Sequence, residues 1–369
     1  MTVLDILFYT FIAVVSIQLV FYGAIFSKFT FLIHQKQKQK NIAVSVLVCA
    51  KNEAENLKEF IPLILEQNYS AFEIILINDD SNDDTLDVMK SFQSSNENIK
   101  IVDVKPIEAF WGNKKYALTL GIKASSNNFL LFTDADCKPL SNNWIKEMSS
   151  HFTNKKTIVL GYGAYKKTKG LLNKLIRFET LLTAIQYFSY TKIGMPYMAV
   201  GRNLAYRKET FFEVKGFMNH MNIRSGDDDL FVNQVANASN TAISITKDSF
   251  TESIPENSLS EWFKQKKRHV STAKFYKPKH KLFLGLFYVS QILFWLLSLI
   301  LLATLFNWKI VLVLFLLRFI VQFIVIGLSA KKLNEQDTII LLPLLELFLI
   351  VSQMAIFISN ITSKQGRWK

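Results

Sequence analysis

The pattern with the clearest chemical potential is a pair of aspartates separated by one residue. Asp134 and Asp136 follow the apolar run FLLF, in the segment TDADC. Two carboxylates on a turn out of a buried strand can share one hard divalent cation, because Mg²⁺ and Mn²⁺ prefer oxygen ligands and keep open coordination positions. Such a cation could neutralise a diphosphate leaving group. A lone Asp-x-Asp is also compatible with a helix N-cap beside a solvated acid.

Three further clusters of polar side chains fall in the middle of the chain. Asn52 and Glu53 follow the apolar run SVLVCA, and Asp79 follows the run FEIILI. A triplet of aspartates, Asp227 to Asp229, opens a helical pattern. Because ligands of open α/β sheets bind outside the carboxyl ends of the strands, the side chains that follow strands should meet at one edge.

The elements that must position these side chains are strands alternating with helices. The short runs SVLVCA, FEIILI, KIVDV and FLLF are typical of buried parallel strands. Between them, ENLKEFIPLILEQ and DTLDVMKSF have the spacing of amphipathic helices. This order predicts an α/β domain over residues 44–276, with a mostly parallel sheet covered by helices on both faces.

Both ends of the chain have the composition of membrane segments. Ile6 to Phe26 contains no charged residue and is long enough to cross about 30 Å of hydrocarbon. Asp5 before it argues against a signal peptide, and the basic run Gln35 to Lys40 after it places the middle domain in the cytoplasm. Three more apolar segments follow, at Leu282–Phe306, Ile310–Ala330 and Thr338–Ile361.

These boundaries divide the chain into four parts, and the charges leave its topology open. The parts are a transmembrane helix (1–28), a basic linker (29–43), the soluble domain (44–276) and a C-terminal membrane domain (277–369). Four crossings with the N-terminus outside put the C-terminus outside, yet the tail SKQGRWK is basic and should prefer the cytoplasm. One C-terminal segment could instead be re-entrant or interfacial, or the tail could cross regardless of its charge.

Two charged residues fall inside the C-terminal apolar segments. Arg318 and Glu346 lie at similar distances from the connection KKLNEQD. A charge within a membrane is costly and is usually paired. We therefore predict that Arg318 and Glu346 form an ion pair.

Composition argues against several classes of protein. The net charge is +13, but the basic residues concentrate at the membrane flanks with little aromatic interleaving, which argues against nucleic-acid binding. The two cysteines, Cys49 and Cys137, cannot form a disulfide framework, and we expect both to be buried, reduced thiols. A transporter would have more charged or broken apolar segments.

Taken together, the acidic clusters resemble the inverting family-2 glycosyltransferases of the GT-A fold. In that family the first strand ends in Asn-Glu, as at residues 52 and 53, and the second ends in a segment like Asp-Gly-Ser-x-Asp. The second segment is matched by Asp79 to Asp83, with Asp80 in the glycine position, and the TDADC turn matches the metal motif. The resemblance implies a Rossmann-like domain, a nucleotide-diphosphate sugar as donor, with a UDP-sugar expected, and Mg²⁺ or Mn²⁺ as cofactor.

The resemblance also implies roles for residues of this sequence. The stretch GNKKYAL, from Gly112 to Leu118, echoes a Gly-Lys-x-x-Ala-Leu motif and puts Lys114 or Lys115 near the phosphates. The segment GRNLAYRKETFFEVKGF resembles the acceptor side. The implied metal ligands are Asp136 and Asp134. The implied nucleotide site comprises Ala50, Asn52, Glu53, Asp79, Lys114, Lys115, Asp134 and Ala135, and the implied diphosphate or acceptor side includes Gly201 and Asn203.

The family's catalytic base is the aspartate of a Glu-Asp pair that opens a helix, and three aspartates compete for that role here. The family helix usually ends at a glycine turn eleven residues after the base. Asn240 can make such a left-handed turn, which points to Asp229 as the base and to Asp228 in place of the glutamate. Asp228 is the alternative base, and Asp227 is expected to cap the helix and interact with its dipole.

The last motif precedes the second apolar segment. Gln265 and Arg268, followed by His269, resemble the Gln-x-x-Arg-Trp motif of membrane-bound family members. In processive synthases that tryptophan stacks on the acceptor sugar, so histidine in its place favours an enzyme that adds one sugar. We expect Arg268 and His269 to contact the diphosphate, while the neighbouring lysines contact anionic lipid.

These features predict an integral membrane glycosyltransferase of a bacterial cytoplasmic membrane, with its catalytic domain in the cytoplasm. The acceptor would be lipid-linked or amphiphilic, because Trp262–Tyr276 leads directly into an apolar segment. The pattern Leu171 to Tyr190 is compatible with an interfacial helix or with an ordinary core helix. A processive polysaccharide synthase and a non-catalytic scaffold of the same fold are the alternative functions.

Overall fold

A computed structural model describes residues 1–33, 37–105, 114–223 and 225–362. Three features discussed above lie outside the described residues: Gly112, the start of the basic run (residues 35 and 36) and the tail SKQGRWK. Strands alternate with helices through the first half of the soluble domain, as the sequence predicts.

The strands of the described residues form two sheets. They are β1 (Val44–Ala50), β2 (Phe72–Asp79), β3 (Ile99–Val104), β4 (Phe129–Asp134), β5 (Cys137–Pro139), β6 (Ile158–Leu160), β7 (Gly163–Tyr165), β8 (Leu204–Arg207), β9 (Thr241–Ile243) and β10 (Thr251–Ser253). The larger sheet has the order β3-β2-β1-β4-β8-β6-β9, and the smaller has the order β5-β10-β7. Only β8 runs antiparallel to its neighbours in the larger sheet.

Helices cover both faces of the larger sheet and continue into apolar segments. The α-helices are α1 (Val3–Val20), α2 (Ser27–Thr30), α3 (Ala54–Leu65), α4 (Thr85–Ser95), α5 (Lys114–Ala124), α6 (Trp144–Ser150), α7 (Leu171–Lys192), α8 (Lys208–Glu213), α9 (Asp229–Val235), α10 (Leu259–Val270), α11 (Pro278–Ala303), α12 (Trp308–Lys332) and α13 (Leu342–Thr362). Short 3₁₀ helices lie at Gly201–Asn203, Met218–His220, Lys247–Ser249, Ala273–Phe275 and Gln336–Leu341, and a π-turn at Phe21–Phe26 joins α1 to α2.

The four predicted parallel strands are β1 to β4, and burial on both faces explains their continuous apolar runs. Successive side chains point to opposite faces of a sheet. Val46 packs in the cluster that includes α3, α4 and α6, whereas its neighbour Leu47 packs in the cluster that includes α5 and α7. The second cluster is continuous with the apolar helices at the two ends of the chain, so the sheet and the membrane helices share one core.

The strand register brings the predicted site residues to one edge. In the parallel ladder Ala50 lies opposite Asn78, one residue before Asp79, and Cys49 lies opposite Asp134. The first three polar clusters therefore leave the sheet side by side at its carboxyl edge, as predicted.

Among the described residues, four helices are long and apolar enough to cross a membrane. They are Val3–Thr30, Pro278–Ala303, Trp308–Lys332 and Gln336–Ile361. One is N-terminal and three are C-terminal, in agreement with the sequence. The first contains the π-turn, a feature that the apolar pattern did not predict.

The long helix α7 is a core helix, which decides between the two interpretations of its sequence. Most of its side chains are buried between the soluble domain and the apolar helices. Arg177 is 1% exposed and donates to Glu335 at 2.5 and 2.8 Å and to Asp337. This ion network ties the soluble domain to the connection between α12 and α13.

The predicted ion pair between Arg318 and Glu346 is confirmed. Arg318 is 0% exposed, and one of its terminal nitrogens lies 2.5 Å from Glu346 Oε1. Gln322, Gln18 and Gln291 add side-chain hydrogen bonds to the pair, so four separate apolar helices contribute to one polar cluster. Such a cluster fixes the rotation of each helix, because any rotation would leave a buried charge unpaired.

We predict that Arg318→Met lowers the free energy of unfolding by about 3–5 kcal/mol, because it leaves Glu346 buried without a cation. Adding Glu346→Leu should recover part of the loss, since no charge then remains. Reversible unfolding in detergent measures both effects. Lys309→Met, at the exposed start of α12, is the matched control. Equal stability of Arg318→Met and Lys309→Met would show that the pair does not stabilise the fold.

Candidate active site

Two loops at the carboxyl edge of the sheet hold each other in place. The backbone N–H of Asn52 donates to the Ser81 hydroxyl at 3.0 Å, and the backbone N–H of Asn82 donates to Asn52 Oδ1 at 2.8 Å. Asn52 and Asp80 have φ values of +58° and +54°, a left-handed conformation that glycine, asparagine and aspartate tolerate best. Aspartate can therefore occupy position 80, where the family usually has glycine.

The acidic residues of these loops lie beside the metal motif. Asp79 ends β2 and is buried, which raises its pKa, while Lys51 acts in the opposite direction. Burial also raises the pKa of Glu53, and the nearby Asp136 and Asp134 raise it further. The small residues predicted for the nucleotide site, Ala50 and Ala135, are buried at the ends of β1 and β4.

The TDADC turn gathers three possible metal ligands. One carboxylate oxygen each of Asp134 and Asp136 and the sulfur of Cys137 lie within 4.8 Å of one another. Burial and the adjacent Asp134 raise the pKa of Asp136, which accepts a hydrogen bond from the Cys137 thiol at 3.3 Å. Two adjacent carboxylates that oppose each other's ionisation are a suitable donor set for a hard divalent cation, so these residues fit the predicted metal.

Lys114 supplies positive charge on the other side of Asp134. Its Nζ lies 2.6 Å from Asp134 Oδ1 and 3.6 Å from Asp227 Oδ2. Burial alone would lower the pKa of Lys114, but the two carboxylates raise it well above its ordinary value. Likewise, burial opposes ionisation of Asp134, but Lys114 lowers its pKa. Lys114 is therefore an ammonium that joins the metal motif to the aspartate triplet.

Lys115 points elsewhere, although the sequence left it as an alternative to Lys114. Its Nζ donates hydrogen bonds of 2.8 Å to the carbonyls of His220, Ile223 and Ser225, and burial lowers its pKa to about 8. Consecutive helical side chains diverge by about 100°, so only one of the two lysines faces the cavity described next. Lys115 instead holds the loop that leads to the aspartate triplet.

A cavity at this edge brings together some of the predicted groups. It is lined by Lys114, Asp134, Gly201, Asp227 and Asp228, with Cys49 and apolar side chains of β4 and β8 behind them. Cys49 is only partly buried, contrary to the expectation, whereas Cys137 is buried; both are free thiols, as predicted.

Asp228 is held at the start of α9 with its carboxylate toward this cavity. Its Oδ1 accepts from the backbone N–H of Asp229, and its Oδ2 accepts from the backbone N–H of Gly201, each at 2.7 Å. Burial, followed by the charges of Asp227 and Asp229, raises the pKa of Asp228 to about 8. The helix cap is therefore Asp228, and the expectation that Asp227 would cap the helix is wrong.

Asp229 points away from the cavity. Its Oδ2 accepts hydrogen bonds from Tyr276 at 2.6 Å and from Thr272, and its Oδ1 accepts from the backbone N–H of Leu230 at 2.7 Å. It is 7% exposed. These contacts fasten α9 to the segment between α10 and α11.

The turn that pointed to Asp229 is absent. Among the described residues, Asn240 is not one of those with positive φ. Instead, its side-chain Nδ2 donates to the carbonyl of Val235 at 2.9 Å, and its Oδ1 accepts from the backbone N–H of Asn237 at 2.8 Å. A side-chain contact thus ends α9, and no left-handed residue is needed at position 240.

The three residues of the segment Gly201–Asn203 lie in three different environments. Gly201 lies against Asp228. Asn203 is fully buried and donates to the carbonyls of Tyr162 and Ser249, so it joins the sheets and does not reach the cavity. Arg202 was not predicted.

Arg202 is a fixed cation next to the metal motif. Its guanidinium lies 4.5 Å from the centre of the Tyr165 ring and donates to the Gly163 carbonyl at 2.7 Å. A side chain at position 163 would collide with it, so Gly163 makes room for the arginine. Arg202 lowers the pKa of both Asp134 and Asp136. The sequence signal for it was its place next to Gly201 in the segment GRNLAYRKETFFEVKGF.

The residues of α10 approach from the side of the apolar helix α13. Arg268 is exposed but close enough to lower the pKa of Asp134. Gln265 accepts a hydrogen bond from the Tyr165 hydroxyl at 3.4 Å and so lies behind Arg202. His269 is exposed near the end of α10.

Comparison with known proteins identifies the domain. Residues 45–218 match the family described as Glycosyl transferase family 2. The chain carries a glycosyl transferase family 2 domain. The chain has a GT-A-like fold: it superposes with a TM-score of 0.61 on the mannosyltransferase PcManGT from Pyrobaculum calidifontis, solved with GDP-Man and Mn²⁺. That match covers 98% of this chain and 100% of the other at 15% identity, so it shows the fold.

Two curated relatives resemble parts of this chain. Glycosyltransferase AglE of Haloferax volcanii is 27% identical over 193 residues, which cover 50% of this chain and 58% of the relative. The poly-beta-1,6-N-acetyl-D-glucosamine synthase of Staphylococcus epidermidis is 31% identical over 105 residues, covering 28% of this chain and 24% of the relative. The matches therefore span less than two thirds of either relative.

The raised pKa of Asp228 predicts a pH-dependent difference in stability. Between its ordinary pKa near 4 and about 8, the folded protein binds a proton at Asp228 that the unfolded chain releases, so unfolding becomes easier as pH rises. Asp228→Asn removes this dependence. The melting temperature of the wild type should therefore fall relative to the variant from pH 5 to 8 in chelator-containing detergent. Parallel curves would show that Asp228 ionises normally.

Proposed function

We propose that this glycosyltransferase transfers a sugar from a nucleotide-diphosphate sugar to a lipid-linked or amphiphilic acceptor by one inverting displacement. The observation that carries the proposal is the cavity in which the metal motif, paired to Lys114, lies beside Asp228. Such a site has both groups that the reaction needs. Positive charge at the metal motif and Lys114 can stabilise the leaving group, and the Asp228 carboxylate can accept the proton of the acceptor.

Asp228 is the base in this proposal, and Asp229 is a positioning residue. Each Asp228 oxygen accepts one backbone hydrogen bond, which fixes the carboxylate and leaves lone pairs for an acceptor hydroxyl. The raised pKa also makes the ionised Asp228 carboxylate a stronger proton acceptor than an ordinary aspartate. Asp229 instead uses its oxygens for Thr272, Tyr276 and the start of α9.

The leaving group is served by fixed positive charge. Lys114 and Arg202 flank the metal motif, and Arg268 approaches from α10. Asp134 and Asp136 would hold Mg²⁺ or Mn²⁺, with Cys137 next to them. When bound, the cation neutralises part of the diphosphate charge.

In this proposal the sugar is transferred in one step, without a covalent intermediate. Asp228 accepts the proton of the acceptor hydroxyl, and the oxygen forms a bond to the anomeric carbon. The bond from that carbon to the diphosphate oxygen breaks on the opposite face, and its electron pair leaves with the nucleotide diphosphate. Lys114 and Arg202 stabilise the charge that develops there. One displacement inverts the anomeric configuration.

The membrane helices and the relatives support the choice of substrates. α10, which carries Arg268, leads through residues 271–277 directly into α11, so an acceptor anchored in the membrane would lie close to the cavity. The PcManGT structure contains GDP-Man and Mn²⁺. The sequence resemblance points to a UDP-sugar. Because these two indications differ, a panel of donors is needed to identify the nucleobase and the sugar.

The test is a screen of UDP- and GDP-sugars with purified protein in detergent, supplemented with membrane lipid extract. Release of nucleoside diphosphate that depends on the extract, with one sugar added to a lipid product, is expected. A ladder of products would support the processive synthase that the resemblance also allowed. Intact donor under all conditions, with Mg²⁺ or Mn²⁺, would contradict the proposal.

We predict that Asp228→Asn lowers turnover by about 10²–10⁴-fold, because an amide cannot accept the hydroxyl proton. Donor binding should persist, since this residue does not belong to the metal motif. Asp229→Asn is the matched control, and it should act mainly on stability. Its melting temperature should fall, while the turnover of the protein that stays folded should change less than in Asp228→Asn. The reverse order of turnover losses would make Asp229 the base.

Chelation should abolish transfer, and Mn²⁺ or Mg²⁺ should restore it. Asp136→Asn should raise the metal concentration needed for half the maximal rate, because it removes one of two carboxylate ligands. Asp248→Asn, on the exposed surface, is the control. Full activity of chelated protein would exclude the metal from the mechanism.

A further inference from the structure

The contacts of the last apolar helix, α13, show that it does not cross the apolar bundle from one end to the other. Glu346, near its start, accepts from Gln291 at 3.1 Å and pairs with Arg318. Gln291 and Arg318 lie near the middle of α11 and α12. The start of α13 is therefore at the depth at which the other helices are half-way across.

From there α13 runs back toward the soluble domain. The Tyr288 hydroxyl donates to the carbonyl of Ile350 at 3.0 Å. Tyr288 is closer than Gln291 to Pro278, where α11 leaves the soluble domain. Near the end of α13, Asn360 donates to the carbonyl of Lys267 at 3.1 Å, and Lys267 belongs to α10 of the soluble domain.

The length of α13 allows a membrane-crossing helix to be distinguished from one that returns to the soluble domain. Glu346 and Asn360 are separated by about 21 Å along an α-helix. In a helix that crossed the membrane, Asn360 would lie about that far beyond Arg318, near the α11–α12 connection at residues 304–307. It lies instead on α10, at the opposite end of both helices.

The segment before α13 is too short to span a bilayer. Glu335 and Asp337 are held by Arg177 of α7, at the soluble domain. The 3₁₀ helix Gln336–Leu341 packs along α12 and rises about 12 Å at 2 Å per residue. That is less than half of the ~30 Å hydrocarbon core.

We propose that residues 336–362 form a re-entrant segment, which enters the leaflet next to the catalytic domain and returns to the same side. The described residues then cross the membrane three times, and α13 ends on the side of the catalytic domain, where the basic tail follows it in the sequence. This arrangement removes the conflict with the positive-inside rule that four crossings create.

The proposal also assigns a partner to one face of α13. One side packs against α10 and α7. The other exposes Val351, Phe357 and Ile361 by 59–70%. Acyl chains of that single leaflet fit this face, and α13 then separates them from the helix that carries Gln265 and Arg268. The inference does not depend on the reaction catalysed.

Cross-linking decides between the two topologies. Two double variants of the full chain in membranes are treated with a short bifunctional maleimide: Asn360→Cys with Lys267→Cys, and Asn360→Cys with Thr304→Cys. The first pair should cross-link and the second should not. A cross-link in the second pair alone would overturn the proposal.

Labelling of the tail provides a second readout that needs no contact. Lys364→Cys, Glu97→Cys in the soluble domain and Thr304→Cys are labelled with an impermeant maleimide in inside-out and right-side-out vesicles. We expect Lys364→Cys to react in the same vesicles as Glu97→Cys. Reaction together with Thr304→Cys would establish a fourth crossing. The protein without added cysteines gives the background from Cys49.

Discussion

The candidate site depends on holding several carboxylates together at the edge of one sheet. Asp134, Asp227 and Asp228 line a single cavity, and carboxylates gathered in one site repel one another. Lys114 Nζ lies 2.6 Å from Asp134 Oδ1 and 3.6 Å from Asp227 Oδ2, and its positive charge offsets the repulsion between the carboxylates. Burial and neighbouring carboxylates raise the pKa of Asp136 and of Asp228, the groups that the proposed mechanism assigns to the metal and to the acceptor proton.

The rest of the soluble domain fixes these side chains with backbone groups. The parallel register of β1, β2 and β4 sets the metal motif beside the loops that follow β1 and β2. Gly201 and the first turn of α9 orient Asp228, and Lys115 secures the loop before it through three carbonyls. Few of these supports touch the cavity, so substitutions in them would act through geometry and not through lost chemistry.

The membrane helices are joined to this domain through charge as well as through apolar packing. Arg177 of α7 binds the connection after α12, and Asp229 binds the segment before α11. The Arg318–Glu346 cluster then fixes four apolar helices relative to one another. A continuous core of apolar residues also links the soluble domain to the apolar helices that make these contacts.

The sequence by itself determined the order of strands and helices, the apolar segments, the pair Arg318–Glu346 and the turn that carries Asp134 and Asp136. These features follow from local composition and from periodicity, which a single chain displays directly. Only the tertiary structure separated Lys114 from Lys115, turned Asp229 away from the cavity and brought Arg202 beside the metal motif. It also showed that α13 returns to α10, because the direction of a helix depends on distant partners and not on its own hydropathy.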